Sequence, residues 1–201
     1  PDFFVVEFLD DLDRVRLPYP LFAKPVAEGT GKGINSSSKI NTQQELRQVC
    51  PHLLKTYNQP VLLETYLPGR EFTVGILGSG KEARALGAME IILNPEAEKN
   101  AYSYENKERC EELVQYALAD DEEARRAMDV ALMAWRGLNL RDAGRVDLRS
   151  DAAGVPNFME VNPLSGLHPH HSDLPILCTK LGISYHELIS SIMQSALRRA
   201  G

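Results

Sequence analysis

The sequence predicts an α+β fold, and three observations carry that expectation. β-prone runs come in pairs joined by glycine-bearing turns, and two stretches open on capping signals and then show one apolar face at helical spacing. No internal repeat, low-complexity tract or long apolar run competes with that reading.

Residues 1–19 are a lead-in that opens on the extended-looking PDFFVVEFLDD. LFAKP (21–25) and INSSSKI (34–40) read as two strands of a hairpin, with VAEGTGKG as the turn between them. A helix follows over 41–57, with Asn41 or Thr42 as its N-cap and Leu46, Val49, Leu53 and Leu54 at helical spacing; Pro51 is expected to bend or interrupt it. PVLLETYL is the next strand and ends at the Pro68–Gly69 turn, and REFTVGILG and EARALGAMEIIL are two more, joined by GSGK (78–81). Residues 94–110 show no apolar period and read as a long loop, and EELVQYALA is ambiguous between strand and helix. Asp120 and Glu123 form a D-x-x-E capping signal ahead of Ala124, Ala127, Met128, Ala131, Leu132 and Trp135 on one helical face. Ser184 and Glu187 repeat the device ahead of Leu188, Ile189, Ile192, Met193, Ala196 and Leu197.

Composition narrows the function classes. At 201 residues, 43% hydrophobic and 25% charged, the chain holds one domain or two small lobes. A net charge of -6 disfavours nucleic acid or an anionic membrane as partner, and leaves room for a local basic pocket that takes a small phosphate ligand. Cys50, Cys110 and Cys178 are far apart, with no C-x-x-C pair, which points away from a disulfide framework or zinc site and towards a reducing cytoplasm. The N-terminus lacks the basic start of a signal peptide, and the chain opens on Pro1 without a methionine, as a piece of a longer protein would.

The chemistry concentrates in GRVDLRSDAAGVPNFMEVNPLSG (144–166). With DAAG (151–154) as the loop, Ser150 faces Val155 and Arg145 faces Glu160, so that Arg145, Asp147, Glu160 and Asn162 share one sheet face. Val146, Leu148, Val155, Met159 and Val161 share the other, and Pro156 confines its strand to an edge or a bulge. Two carboxylates and an amide oxygen form a hard-oxygen site of the Mg²⁺ kind, while a solvated face with a cross-strand ion pair is the plainer alternative. Lys24 ends a strand just before the glycine-rich EGTGKG, where backbone N–H groups and a lysine can meet a phosphate, although the spacing is not that of a P-loop. ETYLPGRE (64–71) offers backbone groups for a base edge and an acid for ribose hydroxyls, or is simply a strand end and a turn.

In this order and at this spacing the pieces resemble the ATP-grasp enzymes, and within them the D-alanine–D-alanine ligase branch. The matching segments are FAKP..EGTGKGI, LLETYLPGREFTV, GRVDL, MEVNPLSGL and GISYHELI. The resemblance implies two α+β lobes with the nucleotide between them, a small lobe over 1–68 and a large lobe over 69–201. It implies ATP as cosubstrate, two Mg²⁺ ions (with Mn²⁺ as an alternative) and small amino acids as partners, and it allows a homodimer through an absent N-terminal part. Lys24 would contact the nucleotide phosphates under a loop that includes Glu28, Gly29, Thr30, Gly31 and Gly33. Glu64, Tyr66 and Leu67 would frame the adenine and Glu71 would bind ribose; Asp147, Glu160 and Asn162 would hold the metal. Arg145 and the backbone near Gly166 would stabilise an oxyanion, with Lys107 closing from a mobile loop. The chain departs from the family pattern at Glu108, where a tyrosine or histidine is usual, and in SGLHPHHSDLP, where Ser172 aligns with a substrate serine only by allowing one extra residue beside His171. Carboxylate–amine ligation through an acyl phosphate follows as the expected activity. A different amino-acid pair, or a nucleotide-binding module without catalysis, are the alternatives.

Overall fold

The computed structural model describes residues 1–29, 31–93 and 114–200. They fall into two compact units, one built on Pro1–Pro68 and the other on Gly69–Ile92 with Tyr116–Gly201.

In the first unit, β1 (Phe3–Val6), β2 (Leu21–Pro25), β3 (Lys39–Ile40) and β4 (Val61–Thr65) form a sheet in the order β1-β4-β2-β3. Each neighbouring pair is antiparallel. One face carries Val6, Leu21, Ala23, Ile40, Val61 and Leu63, which pack with Leu46, Cys50 and Leu53 of α1 (Gln43–Tyr57) into a closed core. The second hairpin strand is shorter than the sequence predicts. Asn35 Oδ1 accepts the Ser37 N–H at 2.8 Å and turns Ser36–Ser38 into a 3-10 segment, so only Lys39 and Ile40 pair with β2. Thr42 is the N-cap of α1, accepting the Glu45 N–H. Of the bend or interruption expected at Pro51, the interruption does not occur, because the helix continues through it; burial of Leu46, Cys50 and Leu53 offsets the lost N–H.

In the second unit, β5 (Glu71–Leu77), β6 (Arg84–Leu93), β7 (Val114–Ala119), β8 (Ala143–Ser150) and β9 (Pro156–Asn162) lie in the order β7-β6-β5-β8-β9. Within the segment of ambiguous period, Val114–Ala119 is thus a strand at one edge. Helix α2 (Glu122–Gly137) covers one face, where Ala124, Ala127, Ala131 and Trp135 meet Phe72, Val74, Ile76, Val146 and Leu148. Helices α3 (Asp173–Lys180) and α4 (Tyr185–Ala200) cover the other, where Leu174, Cys178 and Leu188 meet Leu86 and Ala143 of the sheet. The cap of α2 sits one residue later than expected. Asp121 accepts the Ala124 N–H at 3.0 Å, while Glu123 is held by Arg70, which also pairs with Glu90, so no box closes on Asp120. The second box forms as read, Ser184 N–H donating to Glu187 and the Glu187 N–H donating to Ser184 Oγ.

Asp142 fastens α4 to this unit. It sits at φ 67°, its carboxylate accepts Ser195 Oγ at 3.0 Å and Arg199 Nη2 at 2.7 Å, and its N–H donates to Ser79 Oγ. The hydrogen bond from Arg199 holds its carboxyl below the usual aspartate range. A group whose native pKa is depressed contributes stability above its unfolded pKa of about 3.9, and that stability is lost as pH falls through the native value. Asp142→Asn should therefore cost about 1 kcal/mol at pH 7, and the gap to wild type should close in strong acid. Urea unfolding followed through Trp135, the single tryptophan and itself bonded to Gly78 O, checks both points.

Candidate active site

The second unit builds its polar cluster on the α3 side of β8. The strand alternates strictly: Gly144, Val146, Leu148 and Ser150 are buried, Val146 and Leu148 in the core with α2, so Arg145, Asp147 and Arg149 project from the opposite face. Asp147 Oδ1 accepts Thr73 Oγ1 at 2.8 Å from the directly paired residue of β5. Asp147 Oδ2 accepts Arg145 Nε at 3.2 Å and Asn162 Nδ2 at 3.2 Å, and the same amide reaches Glu160 Oε1 at 3.3 Å. The four residues singled out from the sequence therefore meet.

Their register differs from the expected one. Arg145 lies opposite Asn162 and Asp147 opposite Glu160, not Arg145 opposite Glu160, and Ser150 faces Pro156 rather than Val155. Two local causes account for this. Asp151 Oδ1 accepts the N–H groups of both Ala153 and Val155, which sets a five-residue turn in place of the four-residue DAAG loop. Met159 is then an extra residue, because Asp147 pairs with Glu160 while Leu148 already pairs with Phe158. The bulge puts Phe158 on the α2 core beside Val161, which was expected there, in place of Val155 and Met159, and Val155 is exposed.

Burial pushes the Asp147 carboxyl up to about 6; Arg145 opposes that rise and the neighbouring Glu160 adds to it. Two carboxylates with one amide are a donor set for a hard divalent cation, and rotation of the Asn162 amide presents its oxygen in place of the nitrogen. Among the described residues no group of three or more His, Cys, Asp or Glu side chains is placed to hold a metal, so His168, His170 and His171 make no such site. His168 and His171 instead stack on each other, with ring centroids 4.7 Å apart. Ser172 Oγ accepts the His168 N–H at 3.0 Å and lies so near Gly166 that a Cβ there would come within 2.6 Å of it. That hydroxyl, read as a substrate contact, also bridges the loop from His168. Glu71 stands on the Asp147 face, 3.5 Å from Arg149. Sequence reasoning missed Thr73, Arg149 and Asp173, whose carboxylate lies 2.7 Å from Arg145 Nη1.

In the first unit, direct pairing of Phe22 with Glu64 and with Lys39 places Lys24, Glu64 and Lys39 on the face turned away from α1. Lys24 Nζ is 2.6 Å from Glu64 Oε2. Lys39, also missed, rests 4.2 Å above the Tyr66 ring. The Tyr66 N–H donates to Pro20 O, so its expected backbone contact is already engaged on that side, and Leu67 is buried. In the glycine loop the Lys32 N–H donates to Gly29 O and the Ile34 N–H to Gly31 O. Glu28 braces the loop through Lys32 at 3.0 Å and Gln59 at 2.9 Å. Gly33, at φ 84°, admits no Cβ, which would meet Pro25 at 2.6 Å. Thr30, Lys107 and Glu108 lie outside the described residues.

Comparison with known proteins fits this arrangement. Residues 10–194 match the family model described as D-ala D-ala ligase C-terminus. The D-alanine–D-alanine ligase of Bordetella petrii is 34% identical over 200 residues, covering 98% of this chain and 59% of that protein. That of Bordetella pertussis is 35% identical over 183 residues, covering 90% of this chain and 55% of its own. The crystal structure of the Bacillus anthracis D-alanine–D-alanine ligase complexed with ATP superposes with a TM-score of 0.72 at 25% identity, over 98% of this chain and 60% of that one. The VanG D-Ala:D-Ser ligase of Enterococcus faecalis shares the fold, with a TM-score of 0.76 at 23% identity over 97% of this chain and 56% of that one. The chain spans less than two thirds of the length of these relatives. With the family model matching residues 10–194 of the 201, the chain belongs to the D-alanine–D-alanine ligase C-terminal family and has the ATP-grasp fold.

Proposed function

We propose that the protein carrying this chain is an ATP- and Mg²⁺-dependent carboxylate–amine ligase that joins two D-amino acids, D-alanine first among them, for peptidoglycan synthesis in the cytoplasm. The observation that carries this reading is the convergence of Arg145, Asp147, Glu160 and Asn162 on one sheet face, in a chain of this family. Free Cys50 and Cys178 accord with a reducing compartment, and no described helix is long and apolar enough to cross a membrane.

The first amino acid's carboxylate attacks the γ-phosphorus of ATP, and ADP leaves to give an acyl phosphate. The second amino acid's amine attacks that carbonyl, and phosphate departs as the amide forms. Lys24, steadied by Glu64, neutralises phosphate charge so that one anion can approach another, and Lys107 is assigned the same task. Glu71 receives the ribose hydroxyls. Arg145 and the Gly166 backbone stabilise the negative charge that develops on the carbonyl oxygen at the tetrahedral stage. Asp147, Glu160 and Asn162 would hold Mg²⁺, which when bound offsets charge on the phosphate oxygens.

Phosphate release by the full-length protein from ATP and Mg²⁺, screened over single D- and L-amino acids and their pairs, tests this directly: D-alanine alone should suffice, and silence across the panel would sink it. Glu160→Gln should lower that rate by about 100-fold or more, since one lost charge-stabilising group costs roughly 3 kcal/mol. Lys24→Ala should raise the KM for ATP by about 10-fold or more, the equivalent of one charge-assisted hydrogen bond. Both are read by steady-state kinetics at saturating amino acid.

A further inference from the structure

We infer that Asp173 is a positioning residue for Arg145, and that it holds the guanidinium in place when Asp147 is given over to a cation. The inference deepens the ligase reading above and rests on it. Arg145 is bracketed from two directions: Nε meets Asp147 on its own strand at 3.2 Å, and Nη1 meets Asp173, in the first turn of α3, at 2.7 Å. Both contacts lie in a little-exposed site, with side-chain exposures of 16% for Arg145 and 13% for Asp173. They differ in what a divalent cation does to them. Asp147 belongs to the donor set with Glu160 and Asn162, so a cation held there would compete with Arg145 for the Asp147 carboxylate and would repel the guanidinium. Asp173 is outside that set and keeps its hold.

The backbone fixes this second carboxylate. Gly75 is the residue of β5 directly opposite Arg145, and a Cβ there would come within 2.9 Å of Leu177 and 3.0 Å of Leu174. The missing side chain lets α3 settle on the sheet beside Arg145, with Leu174, Leu177 and Cys178 buried beneath it. Asp173 is thereby carried on a packed helix instead of a loop, which keeps its position within narrow limits. An arginine fixed from outside the metal set can keep its direction while charge builds on a reacting oxygen, with no side-chain reorganisation at that moment.

The test is a double-mutant cycle in the full-length protein, using Asp173→Asn, Asp173→Glu, Arg145→Ala and the pair D173N with R145A. Thermal melting of each variant confirms that it is folded. With Arg145 present, D173N should lower kcat about 10-fold and leave the KM for ATP within about twofold, and Asp173→Glu should restore part of the loss. In the R145A background D173N should change kcat by less than about twofold. A second readout does not depend on turnover. Mn²⁺ affinity, from the spin-resonance signal of free Mn²⁺, should fall several-fold in D173N, where Arg145 stays on Asp147 and opposes the ion. It should change little when D173N is added to R145A. Equal losses in both backgrounds, or no loss, would overturn the positioning role. If the wild-type protein turns over no amino acid at all, the ligase reading fails on its own account, and the Mn²⁺ cycle still decides whether Asp173 and Arg145 are coupled.

Discussion

Everything in the second unit hangs on strand β8 serving two environments at once. One side must be apolar enough to seat Trp135 and its helix, and the other carries Arg145, Asp147 and Arg149. Charges survive on such a strand because partners stand beside them: Thr73 and Asn162 donate to Asp147, Asp173 of α3 pairs with Arg145, and Glu71 pairs with Arg149. The sheet is thus a rigid mount, and its hydrogen-bond register sets the positions of the polar atoms.

The first unit solves a similar problem at smaller scale. Its sheet buries one face on α1, which leaves the opposite face for Lys24, Glu64 and Lys39. The Lys24–Glu64 pair holds a long, flexible cation at one point. A glycine loop braced by Glu28, Lys32 and Gln59 follows directly in the chain, so a short stretch supplies both a fixed charge and closely turned backbone.

What could be read from the sequence was whatever depends on local spacing. Alternation along VDL and EVN placed the polar cluster on one face, and helical spacing found the buried side of α2. Contacts closed by distant segments were not legible. Asp173 follows a histidine loop with no period, and its meaning arises only when α3 packs into the gap at Gly75. Thr73 looks like any β-branched strand residue until its partner across the ladder is known to be Asp147. The shift of the α2 cap has the same origin, since Glu123 answers to Arg70, far away in sequence, rather than to its own helix end. Lys39 was hidden in a serine-rich run whose side chains preferred a capped turn to strand pairing.

The bulge at Met159 has a consequence for how this strand could change over time. Between the turn and the polar end, β9 undergoes a shift of frame: Phe158 and Val161 lie on the same face although an odd number of steps separates them. The outer hairpin and the polar end therefore need not share one parity. A single-residue gain or loss within the 151–155 turn can be absorbed before it reaches Glu160, whereas the same change between Glu160 and Asn162 would turn the second of them towards the apolar core. The strand has a tolerant half and an intolerant half, and one methionine marks where they meet.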